Sequence, residues 1–244
     1  MPDYTRIYAH QEYMTPGAAE TVDIIVETVQ PTEATLLLDV ASGKGEAAAT
    51  LSSHHACRIV CIEPYDPFVH YSTAKFWHFN LRDLISLLRA NGRTLPLRDA
   101  AFDAAYCIGA PSIVGLDGCL WEMARVVRPG GLVIVSDITW REKPGSLGGE
   151  WGWLKGAAQT TPEEYIAAIE ASGLSTERVH THARSVWEEY WRPMLAVALE
   201  AKTATAEDAA DVFFADEVES GVELERRAVD RWLDYTTFVA RKPG

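Results

Sequence analysis

Short continuous apolar runs alternate along the chain with stretches whose apolar positions recur at helical spacing, and this alternation predicts βαβ units around a mainly parallel sheet. Residues 17–30, GAAETVDIIVETVQ, put apolar side chains on one helical face and stop at Pro31. Residues 35–40, TLLLDV, are apolar without a break until Asp39, as expected of a strand buried on both faces, and a Gly-bearing turn follows. The pattern then predicts a helix over 45–54, a strand over 58–63 (RIVCIE), a helix over 67–80 and a strand over 84–90 (LISLLRA) ended by Asn91-Gly92. Next come a strand over 104–110 (AAYCIGA), a helix over 117–127 closed by Arg128-Pro129-Gly130-Gly131, and a fifth strand over 132–137 (LVIVSD). Five strands with their crossovers fit a doubly wound, Rossmann-like α/β layer.

The texture changes after the fifth strand. Residues 140–155, WREKPGSLGGEWGWLK, hold five glycines or prolines among three tryptophans, which predicts a mobile, aromatic-bearing loop. Thr161 followed three residues on by Glu164 forms a capping box for a helix over 161–173, ended by Gly173. Residues 175–183 predict a sixth strand, 185–233 two or more helices, and 235–242 a closing seventh strand. The whole is expected to be a single domain over 1–244. Its core covers about 31–184 plus 234–242, and a helical cap comes from 1–30 and 185–233.

Charge narrows the function. A formal net charge of −13, with no Lys/Arg-rich run, argues against nucleic acid and against an anionic membrane surface. Ten acids against three arginines over 207–234 read as a solvated helix face. Cys57, Cys61, Cys107 and Cys119 form no CxxC pair and have no histidine cluster at zinc spacing, so no metal centre is expected. Buried reduced thiols are expected instead, as suits a cytoplasmic protein. The first residues lack a basic head followed by an apolar stretch, and no run reaches the roughly 18 apolar residues that a bilayer span requires.

The chemistry concentrates at the first βα turn, DVASGKGEAA. Gly43 and Gly45 allow a tight bend and close backbone approach to a ligand, and the following helix start points N–H groups at an anion. Glu63 ends the second strand 20 residues after Gly43, where an acid meets ribose hydroxyls.

Four motifs in order carry a family resemblance. LLLDVASGKGEAA resembles motif I of class I S-adenosylmethionine (SAM)-dependent methyltransferases, and IEPYDPF resembles their second motif. NGRTLPLRDAAFDAAYCIGA looks like their adenine-binding dipeptide, Leu-Pro, Phe-Asp and fourth strand. EMARVVRPGGLVIVSD is similar to their Arg-Val-Leu-x-Pro-Gly-Gly helix and fifth strand. The pattern resembles that of the type 11, UbiE-like small-molecule branch, and DRWLDYTTFVARKP resembles the last strand of an uncharacterised subgroup.

The resemblance implies a seven-stranded sheet with the last strand antiparallel and SAM as cofactor. It implies that Asp39, Ala41, Gly43 and Gly45, with Ser42 between them, hold the methionine part. Glu63 beside Pro64 would accept from both ribose hydroxyls, and Asn91 (usually Asp) and Gly92 would meet the adenine. Ile108 and Gly109 would lie beside the sulfonium arm.

A small-molecule acceptor is expected. Tyr8, His10, Tyr13 and Met14 belong to an N-terminal run that resembles a segment lying over the pocket in related enzymes; ordinary packing is the other reading. Trp140, Trp151 and Trp153, with Trp187, Tyr190 and Trp191 and the interleaved Glu150, Glu188 and Glu189, suggest an aromatic lid over substrate, or a hydrophobic anchor for the 185–233 helices. Tyr13, Asp137 and Glu150 are the candidate proton acceptors, and Asp137 is equally a structural cap. Two other functions stay open: an NAD(P)-dependent oxidoreductase, since GKGEAA satisfies a loose GxGxxA fingerprint, and a methyltransferase-like binding protein without activity.

Overall fold

The computed structural model describes residues 4–146, 149–151, 160–204 and 209–244. Seven strands form one sheet in the order β3-β2-β1-β4-β5-β7-β6. They are β1 (Leu36–Val40), β2 (Arg58–Ile62), β3 (Ile85–Leu88), β4 (Phe102–Ile108), β5 (Val127–Trp140), β6 (Ser175–Thr181) and β7 (Leu233–Arg241). Strands β1 to β5 pair in parallel, whereas β7 runs antiparallel between β5 and β6. An all-parallel dinucleotide-binding sheet has no such inserted strand.

Helices α1 (Tyr4–Ile7), α2 (Ala18–Val29), α3 (Glu46–His55), α4 (Asp66–His78), α5 (Pro111–Val114) and α6 (Leu116–Val126) accompany the first five strands. The two faces of the sheet bury separate cores. Val22, Ile25, Leu37, Leu51, Ile59 and Tyr106 meet on one side. Leu38, Val40, Leu120, Met123, Val133 and Phe238 meet on the other. Strands β1, β2, β4, β5 and β7 therefore feed both layers, and this is why β1 has no polar position before Asp39. All four cysteines are buried and free. No described helix is long and apolar enough to cross a membrane.

The capping box at Thr161 forms as expected: Glu164 N–H donates to Thr161 Oγ1, and Thr161 N–H donates to the Glu164 carboxylate, at the start of the helix Pro162–Ala171. Other boundaries moved. β3 stops two residues short, and β4 begins at Phe102 and ends before Gly109, which adopts φ +71°. The Arg128-Pro129-Gly130-Gly131 bend lies inside β5. It is held there because Gly130 N–H donates to Lys242 O and Lys242 N–H to Gly131 O. At its other end β5 runs on to Trp140, since β7 pairs with it all the way to Leu233. A short α5, opened by Pro111, was not anticipated.

The long helices Ser185–Ala204 and Ala209–Arg231 form the cap. Between them and the start of β7, Trp140, Trp187, Trp191, Val222, Val229 and Tyr235 build a further apolar cluster. The acidic stretch of the cap is not merely solvated. Asp216 and Glu219 pair with Lys202, Asp230 with Arg184, and Asp234 with Arg141. Asp211 pairs with Arg6 of α1, which ties the N-terminus to the cap.

Candidate active site: a cleft at the end of the parallel strands

Strand β1 delivers Asp39 and Val40 to the carboxyl edge of the sheet, and the next five residues turn back into α3. Ala41 (φ +58°), Gly43 (φ +54°) and Gly45 (φ +74°) take left-handed conformations in this bend. Glycine supplies two of the three without a Cβ penalty. Ser42 N–H donates to Ile62 O at 3.0 Å, which joins the bend to the end of β2.

Glu63 locks the bend in place. One carboxylate oxygen accepts from Gly43 N–H at 2.8 Å and the other from Tyr65 N–H at 2.8 Å. Each oxygen keeps a further lone pair for a second donor. Burial pushes the Glu63 carboxyl up, and these two backbone donors pull it back. Burial drives Asp39 further, up to about 8, with the Glu63 charge adding to the shift. Asp39 Oδ2 and Ser42 Oγ are both buried with no hydrogen-bond partner among the described residues. A polar, cation-bearing ligand is what such atoms suit.

These groups face a cleft of about 660 Å³. Asp39, Ala41, Ser42, Gly43, Glu63 and Pro64 form one wall, and Asn91, Gly92, Ile108 and Gly109 form the next. The tertiary structure thus gathers ten residues singled out from separate sequence motifs. Gly45 is the exception, since it does not line the cleft. A Cβ there would lie 2.6 Å from Phe76 Cζ, so its smallness serves the packing of α3 on α4. Asn91 contributes less freely than expected, because its amide oxygen already accepts Arg93 N–H at 2.9 Å. Gly92 is required on steric grounds, for its Cβ would sit 2.7 Å from Val40 Cγ1.

The roof comes from the chain before α2. Tyr8, Glu12, Tyr13, Met14 and Thr15 line the cleft, and Thr15 packs on the bare Cα of Gly109. The roof is fastened by Lys44, whose Nζ donates to Tyr8 O at 2.9 Å and Gln11 O at 2.8 Å. Lys44 is nearly buried, and burial lowers its pKa. It filled only the variable place in the glycine motif, so its part in the site was not legible beforehand. Hydrogen bonds from a charged donor contribute about 1.5–3 kcal/mol each. Lys44→Met is accordingly expected to speed amide hydrogen exchange over residues 8–16 at least tenfold while α3 keeps its protection; unchanged exchange would contradict the fastening. His10 lies outside the cleft and pairs with Glu200 of the cap. The far rim adds Tyr65, Phe68, Ile113 and Val114, none of them anticipated.

The proton-acceptor and lid expectations need correction. Tyr13 does reach the cleft, but burial raises its pKa and its hydroxyl lies 3.3 Å from Thr50 Oγ1, so it stays a neutral phenol. Asp137 is buried off the cleft wall, accepting from Ser112 N–H and Ile138 N–H at 2.9 Å each. Burial pushes it up to about 6, against the pull of those donors. It caps the first turn of α5 and so positions Ile113 and Val114 at the rim. Glu150 faces Arg227 of the cap at 3.0 Å. Trp140 is buried in the cap cluster, and Trp151 stands edge-on to Trp232 with ring centres 4.9 Å apart. Neither lines the cleft: the extension of β5 carries Trp140 toward the cap helices, and Trp151 packs there against Trp232. Trp153 lies outside the described residues. The aromatic character of the cleft comes instead from Tyr8, Tyr13, Tyr65 and Phe68.

Comparison with known proteins agrees with this geometry. Residues 38–135, spanning β1 to most of β5, match the family described as Methyltransferase domain. The chain is similar to an O-methyltransferase of Aspergillus nomiae, at 30% identity over 105 residues, covering 42% of this chain and 46% of the relative. It is also similar to an uncharacterized methyltransferase of Mycobacteroides abscessus, at 34% identity over 130 residues, covering 50% and 49%. The chain thus spans about half the length of the curated relatives it matches. The fold as a whole resembles that of a SAM-dependent methyltransferase from Geobacter sulfurreducens crystallised with S-adenosylhomocysteine, with a TM-score of 0.83 at 18% identity and coverage of 99% and 98%. Residues 38–135 thus match a methyltransferase domain, and the antiparallel β7 and the glycine bend tied to Glu63 accompany that segment.

Proposed function

We propose that the protein transfers a methyl group from SAM to a small-molecule acceptor bound beneath the Tyr8–Thr15 roof. The observation that carries this reading is the Glu63 carboxylate, which bridges Gly43 and Tyr65 and retains outward lone pairs on a cleft wall. The residues present suit the cofactor. Glu63 offers acceptors for vicinal hydroxyls, Asp39 and Ser42 offer unpaired buried oxygens for the amino-acid end, and Gly92 and Asn91 flank a slot for a flat ring. Bound there, SAM would supply an electrophilic methyl group to the acceptor, with its neutral thioether as the leaving group.

The protein's part is alignment and exclusion of water. Met14, Phe68, Ile113 and Val114 present an apolar surface to the acceptor, while the roof segment closes the cleft from above. Neither Tyr13 nor Asp137 is placed and charged to take a proton. An acceptor proton therefore leaves to water or to Glu12, the exposed carboxylate of the roof. Equilibrium binding tests the reading against a dinucleotide-dependent oxidoreductase: S-adenosylhomocysteine should bind with one site per chain and NADH should not. NADH binding with no response to S-adenosylhomocysteine would reverse the assignment.

Asp39 adds a pH signature. Because burial holds it protonated up to about 8, a cationic group placed beside it lowers its pKa and expels the proton. Cofactor affinity should therefore rise with pH between about 5 and 8 and level off above, with proton release near one per site at pH 7. Calorimetry in two buffers of different ionisation enthalpy measures the release. No buffer dependence would remove Asp39 from the site.

A further inference from the structure

Away from the cleft, three potential donors converge where α2 begins. Glu20 on the first turn of α2 and His180 and His182 at the end of β6 bring one ligand atom each within 4.8 Å of one another. His182 Nδ1 is 2.8 Å from Glu20 Oε2, and His180 Nε2 is 3.9 Å from the same oxygen. The two rings stand edge to face with centres 4.7 Å apart.

The other face of His182 is organised around it. Its Nε2 lies 2.8 Å from Thr237 Oγ1, which lies 2.9 Å from Thr21 Oγ1, and Thr21 Oγ1 lies 2.9 Å from Gly17 O. A carbonyl only accepts. All three contacts are hydrogen bonds at once when Thr21 donates to Gly17, Thr237 donates to Thr21 and His182 donates from Nε2. That arrangement leaves the remaining imidazole nitrogen, Nδ1, facing a carboxylate oxygen: with a proton it donates to Glu20, and without one the two atoms are acceptors face to face. A positive centre between them resolves the clash, and the second imidazole turned to the same oxygen supplies a further lone pair.

We propose that Glu20, His180 and His182 form a binding site for a divalent transition-metal ion of the zinc class. Two imidazoles and a carboxylate are a borderline N/O donor set that suits Zn²⁺, Co²⁺ or Ni²⁺ better than Mg²⁺ or Ca²⁺. Ligand atoms on a tetrahedral zinc sit about 3.3 Å apart. The present spread closes to that by side-chain rotation of Glu20 and His180, both substantially exposed, while His182 is anchored by Thr237 as metal-bound histidines commonly are. Glu20 and Gly17 also border a second cavity of about 310 Å³ beside the roof segment, so the ion would pin the start of α2, and the roof leading into it, to β6. The cleft and its cofactor take no part in this site.

The test uses the full chain after chelator treatment, titrated with Zn²⁺ by calorimetry and with Co²⁺ by visible spectroscopy. One equivalent should bind, Co²⁺ should give the d–d bands of a low-coordinate N/O site, and Zn²⁺ should raise the melting temperature. Glu20→Gln and His180→Ala alter exposed side chains and should fold. Each should weaken Zn²⁺ at least tenfold and abolish the Zn²⁺-dependent rise in melting temperature, with S-adenosylhomocysteine affinity unchanged. Absence of Zn²⁺ binding to the unaltered chain, or stoichiometric binding that survives both substitutions, would overturn the proposal.

Discussion

Glu63→Ala is expected to weaken S-adenosylhomocysteine binding by about ten- to hundredfold or more. The carboxylate has two duties, and alanine performs neither. It accepts Gly43 N–H and Tyr65 N–H at 2.8 Å each, so its loss frees the bend after β1 from the loop after β2. In the proposed complex it also accepts from a pair of vicinal hydroxyls. A hydrogen bond to a charged group contributes about 1.5–3 kcal/mol, and each 1.4 kcal/mol is about tenfold in affinity. Glu63→Gln separates the duties. Its amide nitrogen cannot accept from either backbone N–H, so one anchor is lost while size and shape remain, and an intermediate loss is expected. Calorimetry on folded protein measures both. Affinity within twofold of the unaltered chain for Glu63→Ala would remove the carboxylate from cofactor binding and with it the carrying observation for the proposed function.

Trp191→Ala should produce the largest loss of stability. Trp191 is fully buried in the cap cluster and its indole Nε1–H donates to Glu225 Oε2 at 2.6 Å. Burial already raises the Glu225 pKa, and the indole donor is what counters it. Alanine creates a large cavity and also orphans that buried carboxyl. Replacing a buried tryptophan by alanine costs about 3–5 kcal/mol. In a chain of this size that lowers the melting temperature by roughly 6–20 °C. Trp151→Ala, at the partly exposed edge of the same cluster, should cost only about 1 kcal/mol. S-adenosylhomocysteine binding should be little changed by either at temperatures where the protein stays folded. A Trp191→Ala melting temperature equal to the parent's would mean that the cap is not held by this cluster.

The tryptophans show where sequence reasoning stopped. The sequence leaves anchor and lid both open for Trp151, Trp187 and Trp191. Composition records that residues are aromatic but not what they face. Trp140 lies outside any local strand signal because its pairing partner, Leu233, is 93 positions away in the chain. The same holds for the metal-type cluster. Cysteine and histidine spacing suggested no metal centre, since Glu20 and His182 are brought together only by the docking of α2 on β6 and β7.

The sequence by itself determined the βα alternation, the glycine bend after β1, the acid at the end of β2 and the capping box at Thr161. Each depends on residues close in the chain, where backbone freedom, strand burial and helix-end hydrogen bonds act locally. Only the tertiary structure decided which face of the cap tryptophans is buried, that Asp137 is a cap for α5, and that Lys44 fastens the roof. Those outcomes depend on desolvation and on partners tens of residues distant, and no local pattern encodes either.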